Sequence, residues 1–448
     1  MKKFLLISAV GIYTTSINSS EISILKQQIK ILSEKIDKLE KNNTKNHTIK
    51  KEKESIIKVN KNKNEVIIGK TKVSLNGKIQ LDTIYDRDQF TGDSNNLPFL
   101  ELKDSGNNIK KEHWKMNAKS SSITLNTNTE LENHVIDTRI STDFKGSNNY
   151  NTGSINRGSS DSTTSYNLRF IEAYAEVDKK FLFGQTYTNF DDRHTYPEVL
   201  ESNGMTGSGQ IRNAQIRYKH DVMDSTTASF AIENPSTTYV DENGKLNGQG
   251  LKKSSSAGDG QSAVPDFTAK MVYEKEGNRF TLRGLLRQLR IKKSTAPAHN
   301  ARSWGWGIAA SGKMKVNNKM EISSNILFGK GMGRYSYDLV GLCAAFNAAK
   351  RRMESISSYS GNVGVQWKWT EKWRSNLSYG RNHVRIPSFM DSYKIPVTKR
   401  LEQYVINLIY NPIENLTTGV EYHRLKRLTT NRKKGVGNRV QIVFKYLF

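Results

Sequence analysis

The chain has almost no cysteine. Cys343 is the one thiol among 448 residues. No disulfide can form within a single chain, and no thiolate cluster can hold a metal. The eight histidines are scattered, and no HExxH occurs. There is no GxSxG nucleophile elbow and no phosphate-binding P-loop. These gaps lead us to expect no enzyme activity, no metal and no cofactor. After residue 20 there is no run of about 18 apolar residues, so no membrane-spanning helix is expected. Only 35% of residues are hydrophobic, and mean hydropathy is −0.65. Such dilution is compatible with a membrane barrel, whose strands carry lipid-facing side chains at alternate positions only. At 448 residues the chain also exceeds what one soluble core usually holds.

What is present is positive charge. The formal net charge is +26, which suits nucleic acid, anionic lipid or anionic solutes as partners. The N-terminus argues against nucleic acid. Met1-Lys2-Lys3 is basic, Phe4 to Tyr13 is apolar, and Thr14-Thr15-Ser16 and Ser19-Ser20 are small. This pattern is a secretory signal peptide over residues 1–20. Over residues 21–41, Ile22, Leu25, Ile29, Leu32, Ile36 and Leu39 alternate spacings of three and four. Ile at every a position and Leu at every d position form a coiled-coil seam for oligomerisation. The a/d choice leans towards a parallel dimer, but three heptads are too few to fix the number of helices. The alternative is an amphipathic helix packed on its own barrel. Association is favoured because an isolated helix this short is marginal in water. Residues 42–70 are rich in Lys and Asn and are expected to be a flexible basic linker.

From residue 71 to 448 the period changes to two. Near the end, Val440, Ile442, Phe444, Tyr446 and Phe448 alternate with Arg439, Gln441, Val443, Lys445 and Leu447. One greasy face and one mostly wet face make a β-strand. A soluble sandwich could use one such strand, but the pattern repeats. Candidate strands lie at 72–85, 115–127, 132–144, 167–177, 181–189, 210–219, 226–233, 266–275, 279–290, 303–316, 319–330, 360–370, 373–383, 401–410, 415–425 and 436–448. Their connections alternate between long loops and short turns from start to finish. That asymmetry predicts an all-β transmembrane barrel of about sixteen antiparallel strands, preceded by the short α-helical coiled coil. Both ends of the barrel chain, and the coiled coil, are expected on the periplasmic side of a Gram-negative-type outer membrane. Closure would remove the exposed sheet edges.

Several stretches are similar to a known family. Gly77-Lys-Ile-Gln-Leu-Asp-Thr-Ile-Tyr-Asp86 follows the coiled coil and linker. Then come Phe183-Gly-Gln-Thr-Tyr-Thr-Asn-Phe190, Gln215-Ile-Arg-Tyr218, Gly329-Lys-Gly-Met-Gly-Arg-Tyr335 and Trp373-Arg-Ser-Asn-Leu-Ser-Tyr-Gly380. In this order they resemble the DcaP-like outer-membrane porins. The resemblance implies a homotrimer with a periplasmic coiled coil and sixteen-stranded barrels. It also implies passive uptake of small anionic solutes, dicarboxylates included.

A barrel of that size leaves an aqueous channel, and charged wall residues set its selectivity. Strand parity places Arg139, Arg217, Lys270, Arg283, Arg287 and Arg374 on the inner wall. Facing lipid at mid-depth would cost each about 2–4 kcal/mol. Arg283 and Arg287 share a strand and are the leading pore-lining pair. Alternatively these cations pair with inward Asp137, Asp143, Glu172, Glu176, Glu274 and Glu421 and merely stiffen the wall. The loop after the fifth strand is the candidate constriction. It carries Asp191, Asp192, Arg193, His194, Glu198 and Glu201, then Gly204 to Gly209. Its carboxylates would face the Arg wall across the channel, unless it is an ordinary external loop. Cys343 falls in a long external loop, with no role assigned. Basic loops suit the phosphates of outer-membrane lipid and lipopolysaccharide. Two other readings stay open, an outer-membrane barrel enzyme and a structural barrel acting as cell-wall tether or adhesin.

Overall fold

The computed structural model describes residues 27–28, 30–35, 57–60, 65–88, 100, 112–146, 167–248, 259–293, 299–339, 341–392 and 396–448. The chain forms two units, Met1–Ile56 and Ile57–Phe448. In the first, residues 27–28 and 30–35 are helical, and the seam residue Leu32 is exposed. The signal segment and the seam residues Ile22, Leu25, Ile29, Ile36 and Leu39 lie outside the described residues.

The second unit is a sheet closed on itself. Its strands are β1 (Thr71–Asp86), β2 in two pieces (His113–Asn117 and Ser122–Leu131), β3 (His134–Gly146), β4 (Asn167–Val177), β5 (Phe181–Tyr187), β6 (Arg212–Met223), β7 (Thr226–Glu233) and β8 (Asp266–Lys275). They continue with β9 (Asn278–Lys293), β10 (His299–Lys315), β11 (Met320–Lys330), β12 (Ser357–Lys368), β13 (Trp373–Arg385), β14 (Thr398–Tyr410), β15 (Leu416–Thr429) and β16 (Lys434–Leu447). Each pairs antiparallel with the next, and β16 returns to β1 with Leu447 opposite Lys78 and Arg439 opposite Asp86. The described residues thus make a 16-strand closed barrel.

The barrel is inside out relative to a soluble protein. Outward Phe230 and Leu377 are each 63% exposed, while inward Asn376 and Gln441 are 3% and 1% exposed. Lipid is the solvent that makes such an outer face stable, and closure pairs both edges of each of the sixteen barrel strands. Aromatics sit near both ends of the strands. Trp373 stacks on Tyr410 at 4.3 Å near the short turns, and Tyr379 meets Tyr404 at 4.9 Å towards the long loops.

Two expectations are corrected. The segment 42–70 is not wholly a linker, because Ile57–Asn60 and Glu65–Ile68 form a hairpin added to β1, with Glu65 opposite Ser74. The short apolar run Val66-Ile67-Ile68 was hidden among the lysines. The second strand is broken at residues 118–121. There the Ser121 hydroxyl accepts the Gln80 N–H at 3.0 Å, and Asn117 Oδ1 accepts the Lys119 N–H at 3.2 Å. Small polar side chains offered the backbone an alternative to the ladder.

At the long-loop end, two loops build a structure of their own. Thr238–Val240, Leu246–Gly248, Ala344–Asn347 and Arg352–Ser355 form a second, 4-stranded sheet. Val240, Leu339, Leu342, Ile356, Val384 and Leu401 pack into an apolar cluster beside it. Cys343 belongs to a neighbouring cluster with Tyr239, Leu289 and Ile291. It is 0% exposed, and its Sγ accepts the Arg334 N–H at 3.0 Å. It lies in a long loop as expected, but the loop folds back on the wall residue Arg287, so its side chain is part of a core.

Candidate functional site

The interior is organised by residues 188–211, which leave β5 and cross the barrel before β6. The crossing begins at the β7 wall, where Glu233 Oε1 accepts the Thr188 hydroxyl and the Asn189 N–H, each at 2.8 Å. Phe190 then inserts among Leu285, Ala309, Leu327, Met332 and Tyr335. The neck of the segment is tied by Tyr196. Its hydroxyl donates to Asp191 Oδ1 and accepts the Gly209 N–H at 2.7 Å. Enclosure and the Asp191 carboxylate raise this hydroxyl well above its ordinary pKa. Asp192 caps a short 3-10 turn over Arg193–Thr195 and accepts Arg279 Nε at 2.8 Å.

The far side of the segment lands on β12–β16. Glu198 receives two bonds from Arg374, each 2.7 Å, and one from Gln366 at 2.8 Å. Burial alone would raise the Glu198 carboxyl, but the Arg374 fork holds it below its ordinary value. Glu421 accepts the N–H groups of Leu200 at 2.7 Å and Glu201 at 2.9 Å. Leu200 packs on Ile409 and Val443. Glu201 meets Arg439 at 3.5 Å, and Arg439 also pairs with Asp86. Thr206 and Gly207 lie directly on the wall. A Cβ on Gly380 would sit 2.3 Å from the Thr206 carbonyl oxygen, so a larger residue there would push the crossing segment away.

The expected constriction residues are therefore gathered on one segment inside the barrel. Arg193 and His194 are exposed there, with the Arg193 guanidinium 4.0 Å from the Tyr187 ring. The expected wall cations divide into two groups. Arg139, Arg217, Lys270 and Arg374 are inward and partly exposed. Arg139 pairs with Glu172 at 2.9 Å, which matches the pairing alternative, whereas Arg374 pairs with Glu198 of the crossing segment. Arg217 and Lys270 make no ion pair among the described residues. Arg217 donates to the Tyr187 carbonyl at 2.7 Å, and Lys270 Nζ to the Asp191 carbonyl at 3.1 Å. Both line a cavity of about 890 Å³ towards the short turns, with Lys219, Arg279, Glu176 and Glu274.

Arg283 and Arg287 are the correction. Their parity is inward, yet neither touches the lumen, with 2% and 0% exposure. Arg283 donates to Asn325 Oδ1 at 2.6 Å and lies 3.9 Å from Asp191. Arg287 donates to the Ser236 carbonyl at 2.6 Å, lies 3.3 Å from Asp266, and sits 5.3 Å from the Tyr335 ring. They pin inward-folded loops to the wall. Parity reports the face of a strand, not what covers it.

Sequence reasoning passed over other inward cations. Lys78 donates to Gln80 at 3.0 Å and lies within electrostatic reach of Lys145 and Lys445. Arg169 forks onto Asp143 at 3.0 and 2.6 Å. Parity was available for each, since Lys78 sits between Gly77 and Ile79 and Lys445 between Phe444 and Tyr446. Among the described residues, no group of His, Cys, Asp and Glu is arranged to hold a metal ion.

Comparison with known proteins gives the following. The family model described as DcaP outer membrane protein matches residues 11–448. Among solved structures, the outer membrane channel DcaP of Acinetobacter baumannii is similar at 24% identity and a TM-score of 0.69, over 84% of this chain and 97% of that one. Salmonella typhi OmpF is similar at 13% identity and 0.52, over 85% and 98%. An anion-selective porin from Comamonas acidovorans is similar at 10% identity and 0.50, over 84% and 100%. No curated protein sequence matches.

Proposed function

Because the chain belongs to the DcaP outer membrane protein family, we propose that it is an outer-membrane channel for passive diffusion of small, preferentially anionic solutes, dicarboxylates among them. The observation that carries this reading is the polar interior crossed by residues 188–211, with Arg217 and Lys270 lining the cavity beside the crossing. Fixed cations without a carboxylate partner offer donors to a passing anion. The long loops face outwards and the short turns face the periplasm. The Ile22-to-Leu39 seam joins three copies below the membrane, and the exposed Leu32 suits such a partner. No catalytic step is assigned to the barrel.

A second reading draws on the apolar cap at the long-loop end. If that cap seals the barrel, the protein is a tether or adhesin. Single-channel conductance in a planar bilayer separates the two, with reversal potential read under a KCl gradient. The expected result is a stepwise open channel preferring chloride. Arg217→Glu with Lys270→Glu should move the reversal potential towards potassium. An unmoved potential would overturn this assignment of the wall, and no channel at all would overturn transport.

A further inference from the structure

The outer face of β12–β16 changes chemistry row by row, and the register makes the rows explicit. One row reads Val365, Leu377, Ile406, Tyr422 and Val440. The next, towards the long loops, reads Val363, Tyr379, Tyr404, Arg424 and Asn438. Then come Gly361, Arg381, Glu402, Lys426 and Val436, followed by Tyr359, His383, Arg400, Leu428 and Lys434. These residues share the outward parity of Leu377 and Ile406, which are 63% and 53% exposed. Apolar residues thus give way to tyrosines and then to cations.

Among the described residues of these rows the cations outnumber the carboxylates. Glu402 is the one carboxylate in these rows, and it lies 3.9 Å from Arg381 and 3.7 Å from Arg400. Arg385, Lys399 and Arg424 are exposed, and Arg381, Lys399, Arg400 and Arg385 all lie within electrostatic reach of the His383 ring. Aromatic faces hold several in place. Lys426 Nζ is 5.0 Å from the Tyr404 ring, Arg381 is 5.9 Å from Tyr359, and His383 stacks on Tyr359 at 4.8 Å. Strands lie about 4.8 Å apart and rows about 6.7 Å apart. The cations of β13–β15 therefore occupy a patch about 10 Å wide, and the apolar row lies about 13 Å below its centre.

We propose that Arg381, His383, Arg385, Arg400, Arg424 and Lys426 form a docking site for the phosphates of a phosphorylated glycolipid in the outer leaflet. This rests on the membrane orientation given above, but not on transport. Charge complementarity selects an anionic headgroup. The apolar row on the same strands selects a partner with acyl chains, since a free phosphate gains nothing from Leu377 or Ile406. The arginines fork onto phosphate oxygens, and His383 and Lys426 add donors at the edge.

The test uses the full chain in detergent, titrated with bisphosphorylated lipid A and followed by native mass spectrometry. Arg381→Ser with Arg400→Ser and Lys426→Ser should weaken binding about a hundredfold. Lys292→Ser with Arg302→Ser and Lys330→Ser removes three outward, exposed cations on β9–β11 and should change it little. Glu402→Gln removes the patch carboxylate and should tighten binding several-fold, an outcome misfolding cannot mimic. Equal loss in both triple variants would reduce the patch to a non-specific basic belt and overturn the proposal. So would unchanged binding in the patch variant, or equal binding of lipid A stripped of its phosphates. Conductance of the patch variant reads separately on transport.

Discussion

Arg287 and Arg217 occupy the same kind of position and lead different lives. Both lie on barrel strands with inward parity. Arg287, towards the long loops, is 0% exposed, donates to the Ser236 and Gly331 carbonyls and lies 3.3 Å from Asp266. Arg217, towards the short turns, borders an open cavity. The barrel wall is uniform, but its two ends are not. Loops long enough to bring their own leucines build a dry core at one end. At the other, turns such as Asp178-Lys179-Lys180 are too short to cover anything, and the wall stays wet.

The largest expected effect tests that contrast directly. Arg287→Met leaves Asp266 buried with the Tyr335 hydroxyl and the more distant Arg334 as partners. Losing one member of a buried pair should cost about 3–5 kcal/mol. Arg217→Met gives up hydrogen bonds to the Tyr187 carbonyl and Gln215 and should cost about 1 kcal/mol. Guanidinium unfolding of the two variants in detergent measures the difference, and equal losses would erase the distinction between the ends. Next, Leu401→Ala in the cap cluster should cost about 3 kcal/mol through the cavity it leaves. Leu377→Ala, outward on the lipid face, should cost much less in the same assay.

The smallest effect concerns pH. Burial raises the Asp338 carboxyl from 3.8 to about 7. It contacts Asn382 Nδ2 at 3.2 Å. The folded state therefore holds this proton more tightly than the unfolded one. Stability from this group is fully present at acid pH and falls as pH rises from about 4 through about 7. Between pH 6 and 8 the loss should be about 1–2 kcal/mol. Asp338→Asn should flatten that slope. A slope unchanged in the variant would assign it to other groups.

Much of the barrel was legible residue by residue. Thr226–Glu233 and Asp266–Lys275 begin and end where the alternation begins and ends. The later strands run further into the long-loop end than expected, as β9 does to Lys293 and β15 to Thr429. Lipid imposes the apolar period only across its own thickness, whereas ladder hydrogen bonds continue past it. The break at residues 118–121 was invisible because serines suit both a strand and a turn. The crossing segment was legible as far as Asp191 to Glu201, since it follows the fifth strand and carries carboxylates that could face an arginine wall. That Arg374 would fork onto Glu198, or that Glu421 would seat Leu200 and Glu201, was not.

The sequence by itself determined the barrel, its strand order and the face each side chain takes, because period two and connection length are local properties. The alternation of turn and loop lengths holds for most connections but not for 430–433, which is as short as the turns at the other end. The tertiary structure alone decided which inward cations meet water. Burial of Arg283 and Arg287 depends on loops returning from distant parts of the chain, where residues such as Phe190, Ser236 and Cys343 arrive with partners no spacing encodes.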